Sequence, residues 1–226
     1  MTHSPPASPP PAHALRDAGG PQDAPADHAT PPHRLHTSSP AYRPAGLLPV
    51  PASSFTSAIT RMLLASDGST TLLLEALTGG PISVHLQSLT DQPAAGMPAD
   101  VRALLQLTSD ATVTIRRSLL HDHHDTPLSR NEVITPPSTP LMQRIATDPA
   151  QPLGLNLIAH DIDHSRHLRC TGLARWSANQ RETASKAYLI RAADMPLMLV
   201  WETFNPAVVP RGHHGPASNP ATRFAS

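Results

Sequence analysis

The sequence predicts an α+β fold built on a single antiparallel β-sheet, and three stretches carry that reading. In Met195 to Pro206, MPLMLVWETFNP, the apolar run from Leu197 to Trp201 is unbroken and includes β-branched Val200. Such a run reads as a strand buried on both faces. Pro81 to Leu89 alternates Ile82, Val84 and Leu86 with Ser83, His85 and Gln87, the pattern of a half-buried strand. Thr112 to Leu120 and Leu128 to Ile134 flank HDHHDTP, which reads as a β-hairpin with a polar tip. Strands that follow one another, with helices inserted between them, pair antiparallel.

The apolar run ends in Glu202. A carboxylate there is costly unless it is paired or protonated. Either the strand emerges into water at that point, or the carboxylate is held against a cavity. The pattern alone leaves both readings open.

Composition sets the domain limits. Of 226 residues, 27 are proline, concentrated at the start. Residues 1–53 are Pro, Ala, His and Ser with scarcely an apolar pair before Leu47-Leu48, too little buried surface to offset the entropy of ordering. They are expected to form a disordered arm. Residues 54–208 are expected to form the domain, and 209–226 a flexible tail. The 17 basic and 17 acidic side chains balance, which gives no electrostatic footprint for nucleic acid or an anionic membrane. Cys170 is the single cysteine, so no internal disulfide forms. No segment approaches the roughly twenty apolar residues of a membrane helix. The N-terminus lacks the charged start and apolar core of a secretory signal. The expectation is a cytoplasmic protein, a monomer or weak homodimer, with no nucleic-acid or membrane partner.

In order along the chain, Ile59 to Ala65 is a short apolar run. Asp67-Gly68-Ser69 makes a turn in which Ser69 caps a helix through Leu77, stopped by Gly79-Gly80. After the strand at 81–89, Pro98 opens a helix with Val101, Leu104 and Leu105 inward. The hairpin follows, then a proline-broken loop at 135–139 and a helix from about Leu141 to Thr147. Pro152-Leu153-Gly154 introduces an apolar segment to Ala159. His167 to Trp176 and Lys186 to Arg191 read as strands, and Met195 to Phe204 closes the sheet.

Fourteen histidines raise the question of a metal. His121-Asp122-His123-His124-Asp125 has the residue types of a metallohydrolase motif, but Thr126 stands where its last histidine would be. A hairpin tip offers no closed shell of ligands. The tip and the patch His160, Asp161, Asp163, His164, His167 both read as solvated loops, so no metal site is expected. There is no HExxH, CxxC or Walker lysine, and no G-x-S-x-G elbow.

Four segments in order resemble the chorismate pyruvate-lyase family, including its shorter actinobacterial branch. They are LLASDGSTTLLLEAL (Leu63 to Leu77), VTIRRSLL (Val113 to Leu120), QPLGLNLI (Gln151 to Ile158) and PLMLVWETF (Pro196 to Phe204). The resemblance implies a sheet with helices packed on one side and an enclosed ligand cavity. It implies elimination of pyruvate from chorismate to give 4-hydroxybenzoate, with no cofactor. Carried over by position, Arg116 binds the substrate carboxylate, Glu202 is the catalytic carboxylate facing the ring oxygen, and Thr70 and Leu153 offer backbone groups to the ligand. Arg117, next to Arg116 on a strand, would point to the other face. The chain departs from the family at Ser185-Lys186-Ala187-Tyr188, where an arginine-aromatic pair is common. Lys186 either takes over a cationic role or lies on the surface.

The competing class is a sensor or binding module for small aromatic carboxylates with the same sheet. In a bacterial regulator family that module is joined to a winged-helix reader, and the stretch before Phe55 has no helical pattern from which to build one. Glu202 favours catalysis, because a pure binder of anions would hardly place a carboxylate there.

Overall fold

The computed structural model describes residues 46–177, 182–210 and 212. Seven strands form one sheet in the order β1-β5-β6-β7-β4-β3-β2. They are β1 (Leu48–Pro49), β2 (Ser83–Pro93), β3 (Thr112–His121), β4 (Pro127–Thr135), β5 (Ser165–Arg175), β6 (Glu182–Ala192) and β7 (Met195–Phe204). Every neighbouring pair is antiparallel. The order resolves into two meanders, β2-β3-β4 and β5-β6-β7, joined by the β4–β7 ladder. The last strand therefore lies at the centre of the sheet rather than at its close. Its near-continuous apolar run is explained by two strand neighbours and cover on both faces.

Five helices are inserted: α1 (Ala58–Ala65), α2 (Thr70–Thr78), α3 (Ala99–Leu104), α4 (Pro140–Thr147) and α5 (Leu153–Ala159). The apolar run from Ile59 becomes α1, capped by the Ser57 hydroxyl. Helix α2 starts at Ser69, whose oxygen accepts from the Leu72 amide, and ends at Gly79 with φ +72°. Four helices cover one face. Leu63, Leu64 and Leu74 from α1 and α2 meet Leu120, Leu128 and Phe204. Met142, Ile145 and Leu157 from α4 and α5 meet Val133, Ile190, Met198 and Val200. Short α3 lies on the opposite face, where Val101 and Leu105 pack on Ile115, Leu189 and Leu199.

The domain boundaries expected from composition need correction at both ends. Leu48 and Pro49 pair with Leu173 and Gly172, and Leu47 and Val50 are buried. A Cβ on Gly172 would stand 2.1 Å from the Leu48 carbonyl oxygen, so β1 requires glycine there. At the other end Val209 is fully buried, and Thr60 donates to the Pro210 carbonyl at 2.7 Å. Residues 47–53 and 209–210 thus belong to the fold. The rest of the expected arm and tail lies outside the described residues. Among those described, no helix is long and apolar enough to cross a membrane.

Candidate active site

Alternation along the strands decides which side chains face the four covering helices. Arg116, Ser118 and Leu120 of β3 point to that face, with Asn131 and Val133 of β4, Tyr188 and Ile190 of β6, and Val200 and Glu202 of β7. Ser69, Thr70 and Thr71 at the start of α2 close the space from above, with Leu153 and Gly154 at the start of α5. The cavity between these layers holds about 30 Å³ of free space, enough for one or two waters. A Cβ on Gly154 would come within 3.0 Å of the Ser69 Oγ, so glycine lets the starts of α5 and α2 approach this closely.

Glu202 is 5 % exposed. The strand does not surface there; the carboxylate faces the cavity. Its Oε2 accepts from the Thr70 hydroxyl at 2.9 Å and its Oε1 from the Tyr188 hydroxyl at 3.0 Å. The Lys186 ammonium lies 3.9 Å from Oε2. Two hydroxyl donors and a cation thus surround the carboxylate. Burial, with Glu202 alongside, pushes the Tyr188 phenol well above its ordinary 10.0, so this residue stays a donor.

Lys186 is 1 % exposed, which corrects its surface reading. Its ammonium donates to the Leu63 carbonyl at 2.8 Å and the Ser66 carbonyl at 3.3 Å, at the C-terminal end of α1. A cation suits the negative end of the helix dipole. Burial lowers the Lys186 pKa below its ordinary 10.5, and Glu202 counters part of that effect. Lys186 therefore ties β6 to the end of α1 and stands beside Glu202 rather than lining the cavity.

Arg116 is 2 % exposed, and its only hydrogen bond among the described residues is an Nη2 donation to the Gln151 carbonyl at 3.2 Å. Its Nε is buried without a partner. Asp148 lies near enough to favour the charge, but burial is the larger effect and lowers the pKa. Its carboxylate is already committed to the Ala150 amide and the Asn156 side chain. A buried guanidinium with an open donor has the chemistry to pair with an anion. Arg117 projects to the opposite face, where it pairs with Glu132 at 2.7 Å in partial exposure. The wider 270 Å³ trough on that face has no such demand. Its Arg117 is paired, and its Arg130 donates to the Arg175 and Trp176 carbonyls.

Of the residues expected from sequence, Arg116, Glu202, Thr70 and Leu153 all come to this one cavity. Thr70 contributes its hydroxyl to Glu202. Tyr188 and Arg166 line the cavity but were not expected to do so. The signal for Tyr188 was its i, i+2 spacing from Lys186 on one strand face, whereas Arg166 lay just before the expected start of its strand at His167.

The histidine-rich hairpin behaves differently from the solvated loop expected of it. His121 is buried, its ring stacks on His85 at 3.9 Å between centroids, and its Nδ1 lies 2.8 Å from Asp125. His85, His121 and Asp125 bring three ligand-type atoms within 4.8 Å of one another. His85 Nε2 lies 3.6 Å and His121 Nδ1 2.8 Å from the same Asp125 oxygen, so both rings address that exposed carboxylate. By alternation His85 and His121 lie on the face away from the cavity. Of the second patch, His160, Asp161 and Asp163 are exposed in the connection after α5, His164 is half-buried, and His167 is exposed on β5.

With this geometry in view, the comparisons can be stated. The family model described as "Chorismate pyruvate-lyase Rv2949c-like" matches residues 64–210. The chain belongs to that family. The match takes in α2, the cavity strands and Glu202. No curated protein matches this member of the Rv2949c-like family. Among solved structures it is similar to the effector domain of PhnF from Mycobacterium smegmatis, at 13% identity and TM-score 0.49, over 64% of this chain and 92% of that one. For longer PhnF the identity is 13% and the TM-score 0.47, over 64% of this chain and 66% of that one. For the ligand-binding domain of a putative GntR-family regulator from Bordetella bronchiseptica they are 16% and 0.41, over 62% and 91%.

Proposed function

We propose that this chain is a chorismate pyruvate-lyase, releasing pyruvate and leaving 4-hydroxybenzoate. The observation that carries this reading is the presence, in one cavity, of a buried guanidinium with a donor unpartnered among the described residues and a carboxylate held by two hydroxyls. The family assignment supports it. The elimination breaks the ether C–O bond and removes the hydrogen from the neighbouring, hydroxyl-bearing ring carbon. Aromatisation drives both events. One proton leaves carbon and one is gained by the departing enolpyruvate, so a single carboxylate can serve both transfers.

Arg116 holds the ring carboxylate through its fork of donors. Glu202, as general base, takes the ring proton and then returns it to the leaving oxygen. The Thr70 and Tyr188 hydroxyls fix the carboxylate in one orientation, and Lys186 balances its charge. A ring is larger than the present free volume, so the Leu153 and α2 rim must move outward to admit it.

The decisive experiment is incubation of purified protein with chorismate while following pyruvate and 4-hydroxybenzoate. Stoichiometric appearance of both is expected. Glu202→Gln keeps the shape and loses the base, so turnover should fall by about 10²–10⁴ with product affinity little changed. Tight binding of 4-hydroxybenzoate with no pyruvate release from the unaltered chain would instead assign it to the binding class. Full turnover in Glu202→Gln would remove the carboxylate from the chemistry.

A further inference from the structure

The cavity contains a second guanidinium whose buried Nε has no hydrogen-bond partner among the described residues. Arg166 of β5 lines the cavity, its Nε is buried without a hydrogen bond, and its side chain has no ion-pair partner among the described residues. Its Nη2 lies near the start of α5, 3.5 Å from where a Gly154 Cβ would stand, beside the Ser69 and Thr71 hydroxyls.

Sheet register fixes how the two arginines are related. Arg116 is opposite Val133, Val133 opposite Val200, and Val200 opposite Tyr188. Arg166 is opposite Ile190, two residues along β6 from Tyr188. Four inter-strand steps of about 4.8 Å separate β3 from β5, so the two Cα atoms stand about 19 Å apart across the sheet. Both side chains reach inward over that span. Val133, Val200, Tyr188 and Ile190 form the floor between them.

Charge points the same way. Lys186 and Glu202 are near enough to offset one another. Arg116, whose charge Asp148 offsets only in part, and half-buried Arg166, which has no ion-pair partner among the described residues, both face the cavity. One dianion would pair with both.

We propose that Arg166 binds a second carboxylate, so that the site selects a rigid dicarboxylate held at one end by Arg116 and at the other by Arg166. Resting on the lyase reading, the second carboxylate is that of the enolpyruvyl side chain. The apolar floor takes the ring, and Glu202 stands beside the bond that breaks. Arg166 is then the residue that separates substrate from product, because 4-hydroxybenzoate keeps only the Arg116 carboxylate.

The test needs no turnover. 4-(Carboxymethoxy)benzoate carries a ring carboxylate and an ether-linked carboxylate, while 4-methoxybenzoate has the same ring and ether with one carboxylate. Calorimetric titration of both into the unaltered chain and into Arg166→Gln, Arg166→Lys and Arg116→Gln separates the roles. The unaltered chain should prefer the dicarboxylate. Arg166→Gln should weaken the dicarboxylate about 10–100-fold and leave the monocarboxylate unchanged. Arg166→Lys, which keeps the charge without the fork, should fall between, and covers the case in which the glutamine variant does not fold. Arg116→Gln should weaken both ligands. Equal weakening of both ligands by Arg166→Gln, or of neither, would overturn the assignment, as would equal affinity of the unaltered chain for the two. If the dicarboxylate preference depends on Arg166 but chorismate is not consumed, the second subsite stands and the lyase reading falls. If chorismate is consumed with an unchanged KM in Arg166→Gln, the reverse holds.

Discussion

Two adjacent arginines have opposite fates because β-strand side chains alternate. Arg116 is buried with an open donor, and Arg117 pairs with Glu132 at the surface. Arg116→Ala should cost about 2–5 kcal/mol in binding of substrate and product alike, measured by titration with 4-hydroxybenzoate. Arg117→Ala removes an exposed pair and should change stability by about 0–1 kcal/mol with affinity unchanged. Period-two alternation made it legible that only one of them faces inward, and the family resemblance pointed to Arg116 as that one. The setting of Lys186 was not legible, because its partners are carbonyls more than a hundred residues earlier in the chain. Tyr188 gives a pH signature. Its phenol is held well above 10.0, so below that pH folded and unfolded chains both keep the proton. Above it the unfolded chain releases the proton first, and stability falls as pH rises. Tyr188→Phe should lack this part of the decline in thermal melts between pH 9 and 11.

At the scale of elements, the active site depends on how closely α2 and α5 start together. Gly154→Val puts branched bulk against the Ser69 and Thr71 hydroxyls. Overpacking of this kind costs about 1–3 kcal/mol. It should also spread the rim of the cavity, so turnover should drop more than the melting temperature alone explains. The hairpin tip belongs to the other face. His85, His121 and Asp125 do not meet the cavity, and the proposed elimination needs no Lewis acid. Turnover should survive a chelator, checked by adding zinc back to treated enzyme. The sequence showed the caps of α2 plainly, because Ser69 and Gly79 are local signals. Helices α1 and α5 were visible only as apolar runs, too short for a period to distinguish helix from strand. The stacking of His85 on His121 depends on strand register, which no local pattern reveals.

For the whole molecule, composition located the domain but missed its edges. Strand β1 is two residues long, and its partner Gly172 lies far along the chain, so no pattern announced it. A chain begun at residue 46 should keep the melting temperature of the full chain. One begun at residue 54 loses the buried Leu47 and Val50, each worth about 1.5–3 kcal/mol, and should melt several degrees lower. Equal melting of the two truncations would mean that β1 adds nothing to the fold. The central place of β7 was hidden for a similar reason. Sequence order suggests an edge for the last strand, whereas the joining of two meanders makes it the seam.

That seam sets a hierarchy of opening times. The β7 backbone is hydrogen-bonded on both sides, so its amides should exchange with solvent only when the sheet itself comes apart. The starts of α2 and α5 rest on a few side chains and can open locally at much lower free energy. Glu202 is thus fixed in the slowest-exchanging part of the protein, while the groups above it belong to a faster one. Ligand can come and go on the helices' timescale without disturbing the carboxylate it must meet.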